Sequence, residues 1–509
     1  MKTLTKLVAA AAMAASSLVA TEVTAAAAYK HVLLISVDGL HPLDVANYVA
    51  AHPDSTFASL VKTGIFYPNA LTTNPSDSFP GMLAQVTGGT PKTVGVFYDD
   101  AFVRNYFAPA SDCKGAPGAE TSFAENVDVD DTKIDGGGTP GKVMTQIDPK
   151  KLPMTMVNGK CEVVWPHMYP RVNNAFEIVK KHGGRTAWSD KHPAYEILNG
   201  PSGTGLDDFY ALEQDSLIPG TDKKKTTASF SAERDFDEAR VKALLNEING
   251  MDSTGKTKAP VPTLFGMNFQ AVSVGQKLPK AGPGDDAGLT GGYTDASGTP
   301  SSGLALQLAY VDKAIGELIS ALRDQKLLDS TILIIASKHG QSPIDPASFQ
   351  ALDDDPYTKT PGYAFHIADD ASLIWLAPDA RKDNLAAAVA YLQKIMKPQG
   401  IGQVLDRATL SLAYQDPATD DRTPDFIVNV NPGVVYTGGS KIAEHGGMNF
   451  YDRSVALLVS NPALKGKTVG ALVQTTQVAP TILKALGYNP NELQAVTAEG
   501  TQELPSLPF

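Results

Sequence analysis

Four residues of this sequence have side chains suited to hydrolytic chemistry, and each lies where a predicted element begins or ends. Asp38 follows the apolar run HVLLISV, and His339 comes three residues after the run TILIIA. Ser78 opens a segment with a helical pattern, and His445 lies in a loop ahead of the run VALLVS. The N-terminus of a helix stabilises a serine alkoxide and binds phosphate or sulfate oxygens. An aspartate and histidines nearby can hold a metal ion that lowers the pKa of the serine hydroxyl.

Taken one at a time, these residues also have ordinary structural explanations. Asp38 can cap the next element, Ser78 can be a plain N-cap, and a single histidine is more often structural than a ligand. Their joint placement favours a shared site, because ligands bind beyond the C-terminal ends of parallel strands. A glycine next to Asp38, His339 and His445 strengthens this interpretation.

The elements that position these residues follow from hydrophobic patterning. Continuous apolar runs are typical of strands buried on both faces of a parallel sheet; they cover residues 31–37, 263–267, 331–336, 426–430 and 455–460. Apolar residues spaced by three and four predict helices; these cover residues 302–327, 385–396 and 476–486. The alternation of strands and helices indicates a mainly parallel sheet covered on both faces.

Polar stretches interrupt this alternation and predict insertions in one large domain. Residues 106–165 contain both cysteines, and residues 199–260 are rich in Ser, Thr, Asp and Lys. Loops this long in a compact domain are usually functional or disordered. We therefore predict one α/β domain over residues 29–490 with cap insertions at about 106–165 and 199–260, followed by a C-terminal tail over 491–509.

The N-terminus has the composition of a secretory signal peptide. Two lysines precede an apolar, alanine-rich run over residues 7–20 that is too short to span a bilayer. We predict a signal peptide over residues 1–28, cleaved within about 20–28, and an exported protein, periplasmic or secreted, without a further membrane span. An N-terminal anchor or a buried helix is the alternative. An oxidising compartment favours a disulfide between Cys113 and Cys161 over two free thiols.

The formal net charge of the 509-residue chain is −12. An acidic protein gains no counterion release from phosphate contacts, which argues against nucleic-acid binding. The expected partner is a small anionic ester, and nothing in the composition indicates an oligomeric state.

Ordered motifs of the chain resemble the type I phosphodiesterase/nucleotide pyrophosphatase family of the alkaline phosphatase superfamily. They are VDGLHP, SDSFPGMLAQVTGG, SKHGQSP and EHGGMNF, and the run QTTQVAPTILKALG is similar to the family's closing helix. The resemblance covers most of residues 29–490 and is loosest in the cap segments. It implies a three-layer α/β/α sandwich, two zinc ions and a Thr or Ser nucleophile that forms a covalent intermediate, which water then releases.

The resemblance also implies roles for individual residues. Asp38, His339 and His445 match metal ligands of the family. Ser78 matches the nucleophile, which also contacts the metal. We further predict substrate contacts for Phe79, which follows the nucleophile, and for Asn268, at the end of a predicted strand.

Departures from the family pattern reduce the predicted metal site. Lys338 stands where the family's SDHG motif has an aspartate, and Gly81 stands where the family has an asparagine. The family's EPD-x-x-GH segment has become GMNFQAVSVGQK, without an acidic residue or a histidine. About six protein ligands hold two zinc ions, and three remain here. We therefore predict one divalent ion, zinc, rather than two.

The ammonium group of Lys338 cannot ligate a metal while it is protonated. We predict a catalytic role for Lys338, either as a charge that offsets the anionic group or as an acid or base. The alternative is that Lys338 pairs with Asp38 and closes an inactive site.

The segment WSDKHPAYEILNGP places further polar side chains after another predicted strand. We predict that Asp190 or His192 replaces a lost ligand or contacts the substrate. An ordinary polar loop is an equally good explanation of this segment.

Together these features predict an exported hydrolase of phosphate diesters or related anionic esters with a serine nucleophile at a reduced metal site. Two alternatives stay open. One is a catalytically inactive anion-binding protein of the same fold. The other is a sulfatase-like or phosphoryl-transfer enzyme that uses one metal and Lys338.

Overall fold

Strand β1 (His31–Val37) lies in the middle of an eight-stranded sheet, because its apolar side chains alternate between two buried faces. The computed structural model describes residues 29–122 and 127–509, so the predicted signal peptide lies outside the described residues. The other strands of this sheet, numbered in chain order, are β2 (Gly64–Phe66), β3 (Thr186–Asp190), β4 (Asp208–Ala211), β5 (Leu264–Phe269), β6 (Thr331–Ala336), β7 (Leu458–Ser460) and β8 (Lys467–Thr468).

The spatial order of the strands is β8-β2-β7-β6-β1-β5-β3-β4. Five of the seven neighbouring pairs are parallel, and both antiparallel pairs involve β7. Val37 of β1 lies opposite Phe269 of β5, and Ser36 of β1 lies opposite Ala336 of β6. The C-terminal ends of β6, β1, β5 and β3 therefore share one edge of the sheet.

Helices cover both faces of this sheet. Leu34 of β1 belongs to the core that contains Phe79 and Ile482, whereas Leu33 belongs to the opposite core with Leu308. The predicted three-layer α/β/α sandwich is confirmed. The helices are α1 (Pro42–Ala51), α2 (Thr56–Lys62), α3 (Ser78–Thr87), α4 (Pro91–Val94), α5 (Ala175–Lys181), α6 (Phe230–Ile248), α7 (Ala271–Lys277), α8 (Ser302–Asp324), α9 (Arg381–Ile395), α10 (Arg407–Ala413), α11 (Phe450–Arg453), α12 (Val478–Ala485) and α13 (Gln494–Glu499).

A second, antiparallel sheet contains four strands and packs against α9. Its strands are Tyr363–Ala368, Ala371–Leu376, Ile401–Leu405 and Phe426–Val430. The prediction that residues 426–430 belong to the parallel sheet is wrong. An apolar run of five residues encodes burial but not the partner strand, so the pattern is the same in either sheet.

The two segments predicted as cap insertions also have regular structure. Cys113 and Cys161 form a disulfide within residues 106–165, as predicted. Residues 199–260 contribute the edge strand β4 and the helix α6, which shares a core with α8. This second segment thus extends the sandwich itself. Within the described part of the chain, no helix has both the length and the apolar character needed to cross a bilayer.

Candidate active site

Four neighbouring parallel strands deliver polar side chains to one edge of the sheet, where ligands of such folds bind. All of these side chains are buried. They are Asp38 after β1, Asp190 and Lys191 at the end of β3, Asn268 and Gln270 at the end of β5, and Lys338 and His339 after β6.

Ser78 reaches this edge from the first turn of α3. Asp77 caps the helix by accepting a hydrogen bond from the Phe79 N–H at 3.1 Å. A β-carbon on Gly81 would overlap the backbone carbonyl of Lys338. Glycine at this position therefore lets α3 lie directly against the loop after β6.

The Ser78 hydroxyl has two hydrogen-bond partners, Lys191 and His339. The chemistry of these partners determines which atoms donate and which accept. Lys191 Nζ lies 3.1 Å from Ser78 Oγ and can only donate, whereas His339 Nε2 lies 3.1 Å away on another side. His339 Nδ1 lies 3.0 Å from the carbonyl oxygen of Gly340, which can only accept. Nδ1 of the neutral ring therefore carries the proton, and Nε2 accepts from the Ser78 hydroxyl.

Asp38 is an ionised carboxylate held by amide donors. Asn268 donates to its Oδ1 at 2.8 Å, and Gln270 donates to its Oδ2. Burial raises the pKa of Asp38, but the charge of Lys338, the contact with His339 and the charge of Lys191 outweigh burial and hold the pKa well below its ordinary value.

Lys338 is fully buried and pairs with Asp190. Its Nζ lies 3.0 and 3.2 Å from the two carboxylate oxygens of Asp190, 4.0 Å from Asp38 Oδ2, and 3.9 Å from the centre of the Tyr195 ring. Burial lowers the pKa of Lys338, and the two aspartates partly oppose that shift. The predicted alternative of a pair with Asp38 is thus a secondary contact, because Asp190 is the nearer partner.

Lys191 lies at the centre of the group. Its Nζ is 3.1 Å from Ser78 Oγ, 3.4 Å from Asp38 Oδ2 and 3.4 Å from Gln270 Oε1. Burial lowers its pKa, but Asp38, Asp190 and Asp77 raise it, and the net result is a pKa above the ordinary value. This side chain is therefore a cation that touches the candidate nucleophile.

His445 lies on the other side of His339, and the two ring centres are 3.9 Å apart. Its Nδ1 is 3.3 Å from Asp77 Oδ1. Burial lowers the pKa of His445 well below its ordinary value, and the neighbouring His339 ring and the charge of Lys277 lower it further. His445 is thus a neutral ring near neutral pH.

The side chains that could hold a metal ion do not fit one in this arrangement. Asp38 Oδ2 and Ser78 Oγ lie 3.5 and 3.1 Å from His339 Nε2, as ligands of one ion would. The Lys191 ammonium, however, lies against both of those oxygens. Within residues 29–122 and 127–509, three acidic, histidine or cysteine side chains bring ligand atoms within 4.8 Å of one another only at Asp353–Asp355, which lies outside this site.

A cleft of about 470 Å³ opens above the site. Phe79 lines it and stacks on Tyr195, with ring centres 4.5 Å apart. His192 also lines it, and its Nδ1 is 2.9 Å from Glu213 Oε1. Lys191, Gln270 and His445 complete the wall near Ser78.

The structure brings the predicted residues together in one site, but they lie at different depths below the cleft surface. Ser78, His339 and Asp38 form the centre. Asn268 and Asp190 lie behind the cleft wall, where they hold Asp38 and Lys338. Two residues, Lys191 and Gln270, were missed. Lys191 stands between two predicted site residues, but an ammonium cannot act as a metal ligand, so a pattern of ligand residue types does not select it.

Comparisons with known proteins agree with this fold. The family described as type I phosphodiesterase / nucleotide pyrophosphatase matches residues 32–452. Comparison with curated protein sequences finds no match. Murine ectonucleotide pyrophosphatase/phosphodiesterase 5 is similar with a TM-score of 0.54 and 15% identity, over 90% of this chain and 96% of that one. The wild-type alkaline phosphatase PafA is similar with a TM-score of 0.61 and 12% identity, again over 90% and 96%.

Proposed function

This chain belongs to the type I phosphodiesterase/nucleotide pyrophosphatase family and is a hydrolase of phosphate esters, and we propose that it cleaves phosphate diesters or related anionic esters with Ser78 as the nucleophile. The pair of contacts on the Ser78 hydroxyl carries the proposal. His339 Nε2 lies on one side and Lys191 Nζ on the other, each at 3.1 Å. A base and a cation on one hydroxyl are the groups that activate a serine for attack.

In the first chemical step the phosphoryl group is transferred to Ser78, and His339 acts first as the base and then as the acid. Ser78 Oγ forms a bond to phosphorus and passes its proton to His339 Nε2, while the bond from phosphorus to the leaving oxygen breaks. His339 then gives the proton to the leaving oxygen, which departs as an alcohol. Asp38 Oδ2, 3.5 Å from His339 Nε2, stabilises the imidazolium between the two transfers.

Water completes the reaction. It attacks phosphorus, gives one proton to His339 and breaks the bond to Ser78 Oγ, which recovers that proton. A diester thereby yields an alcohol and a phosphate monoester. In this mechanism Lys338 is a positioning residue, because it is fully buried and its ammonium holds Asp190, the chain neighbour of Lys191.

Metal chemistry is the point at which this chain departs from its relatives. Family members are zinc-dependent hydrolases. The single divalent ion predicted from the sequence would take its ligands from Asp38, Ser78, His339 and His445. Because the Lys191 ammonium lies against two of those ligand atoms, the donor set as arranged does not fit an ion. No step of the proposed mechanism passes through a metal.

The cleft has the size expected for a small ester, since its volume of about 470 Å³ lies within the usual range for ligand sites. An inactive variant of the murine relative has been solved in complex with AMP. Nucleotide esters are therefore candidate substrates once turnover of a phosphate ester is established. Export is part of the proposal: the N-terminal segment and the Cys113–Cys161 disulfide support it, and family members are typically extracellular or secreted.

The test measures p-nitrophenol release from bis(p-nitrophenyl) phosphate, p-nitrophenyl phosphate and p-nitrophenyl sulfate. We expect turnover of a phosphate ester and a loss of at least ~10³-fold in kcat for Ser78→Ala, with Ser297→Ala, in an exposed loop, as the matched control. Preferred hydrolysis of the sulfate would support the sulfatase alternative. Tight phosphate binding without turnover above the Ser78→Ala background would support the inactive anion-binding alternative.

A further inference from the structure

We propose that the Lys191 ammonium takes the place of a catalytic metal ion in this site, so that Ser78 works without a bound metal. The inference rests on the proposed function, because it concerns the same nucleophile. It goes further by naming the group that supplies the positive charge, and it contradicts the zinc ion that the family implies.

The contacts of Lys191 satisfy its ammonium group completely. A protonated lysine has three N–H donors and no acceptor. Lys191 Nζ has three oxygen partners: Ser78 Oγ at 3.1 Å, Asp38 Oδ2 at 3.4 Å and Gln270 Oε1 at 3.4 Å. Two of these oxygens belong to residues that would otherwise ligate an ion. The ammonium and an ion therefore compete for the same ligands.

The surrounding residues hold Lys191 in this position. Its backbone N–H donates to Asp190 Oδ1 at 2.8 Å, directly after the last residue of β3. Asp190 in turn accepts from the Trp188 indole at 2.8 Å and from Lys338 at 3.0 Å. Lys338 is thus paired with Asp190, and Lys191 is the lysine that contacts the nucleophile.

The neutral amide of Gln270 also suits a lysine in place of an ion. Gln270 orients both partners, since its amide nitrogen donates to Asp38 Oδ2 and its amide oxygen accepts from Lys191. A metal-binding carboxylate at that point would add negative charge that one ammonium could not balance. Lys191 also lines the cleft next to Ser78, so the same charge can contact an oxygen of the phosphoryl group.

The first test compares metal binding by purified full-length wild-type protein and by Lys191→Ala. Samples are stripped with EDTA, titrated with Zn²⁺ and assayed for bound zinc by elemental analysis. We expect no stoichiometric zinc in the wild type and about one ion per chain in Lys191→Ala, because removal of the ammonium frees the oxygens of Asp38 and Ser78 for an ion. About one tightly bound ion in the wild type would overturn the inference.

The second test measures ester hydrolysis with and without EDTA. We expect unchanged wild-type turnover in EDTA, a roughly 10²–10³-fold lower kcat in Lys191→Met and an intermediate value in Lys191→Arg. Lys313→Met, on the exposed face of α8, is the control. Loss of wild-type activity in EDTA, restored by zinc, would overturn the inference. A wild type that hydrolyses no ester defeats the proposed function, but the zinc titration still decides between the ammonium and an ion.

Discussion

Two adjoining regions of this molecule contain buried carboxylates, and the carboxylates of the two regions are neutralised by different means. At the strand ends, Asp38 and Asp190 lie beside Lys191 and Lys338. Behind His445, Asp369 and its neighbours lie beside one another in a group that we call the acidic cluster. Its members are Asp369, Asp370, Glu444 and Asp452, all of them buried or lining the base of the cleft.

In the acidic cluster, most of the carboxylates are neutralised by protonation, whereas at the strand ends they are neutralised by lysines. The Ser342 hydroxyl lies 3.1 Å from Asp370 Oδ2 and 2.6 Å from Asp452 Oδ1, but it has one proton to donate. Burial raises the pKa of both aspartates, and the charge of Asp452 raises that of Asp370 further. Glu444 has the closest cationic partners, with Lys277 Nζ at 2.7 Å and Lys441 in contact, and the charges of the same two lysines partly oppose the pKa rise of Asp369.

This difference matters for function. In the acidic cluster the two lysines, Lys277 and Lys441, pair with Glu444 rather than with a candidate nucleophile. A site neutralised by fixed ammonium groups keeps their positive charge when substrate arrives. We therefore expect the chemistry at the strand ends and a structural part for the acidic cluster.

The two adjoining histidines give the largest expected contrast. We expect His339→Ala to lower kcat for ester hydrolysis by roughly 10³–10⁴-fold, because Nε2 is the acceptor of the Ser78 proton. We expect His445→Ala to lower kcat by no more than about 10-fold, because the neutral His445 ring contacts Asp77 and not Ser78. Steady-state kinetics of both variants provide the measurement. Equal losses in the two variants would contradict the assignment.

Breaking one buried ion pair gives the next largest effect. We expect Lys338→Met to lower the free energy of unfolding by about 3–5 kcal/mol, because it leaves the Asp190 carboxylate buried without its cation. The double variant Lys338→Met/Asp190→Asn should recover most of that loss, since the amide carries no charge and still accepts from Trp188. Urea unfolding of the two variants measures the difference, and failure of the double variant to recover stability would argue against this explanation.

Much of the fold was predictable because it depends on local patterns. The bounds of β1 and β6 match the predicted apolar runs, and the helix predicted over 302–327 appears as Ser302–Asp324. Partner choice was not predictable, as the strand Phe426–Val430 shows. Its residues are as apolar as those of β6, and only distant packing places it in the antiparallel sheet.

The site divides in the same way. Ser78 and Asp38 could be placed from single elements, a helix start and a strand end. The contact between Lys191 and Ser78 could not, because it needs β3 beside β5 and β5 beside β1, together with the approach of α3 at Gly81. Because lysine is excluded as a metal ligand, the role of Lys191 can be recognised only from this geometry.

Asp369 supplies the smallest and most specific test of the acidic cluster. Burial raises its pKa to about 8, and the charge of Glu444 acts in the same direction. Because this pKa lies above that of the unfolded chain, Asp369 binds a proton in the folded state, and its contribution to stability is lost as pH rises from about 4 towards 8. Asp369→Asn resembles the protonated acid. We therefore expect its Tm to match the wild type at pH 5 and to exceed it by a few degrees at pH 8.

A matched substitution in the same cluster provides the contrast. Glu444 has a pKa well below its ordinary value, because Lys277 and Lys441 outweigh the effect of burial. Its stability contribution is present above the ordinary carboxyl pKa and is lost only in acid. Glu444→Gln should therefore be destabilising at both pH 5 and pH 8, in contrast to Asp369→Asn. Parallel losses in the two variants at pH 8 would show that Asp369 is ionised and that the cluster is neutralised by lysines after all.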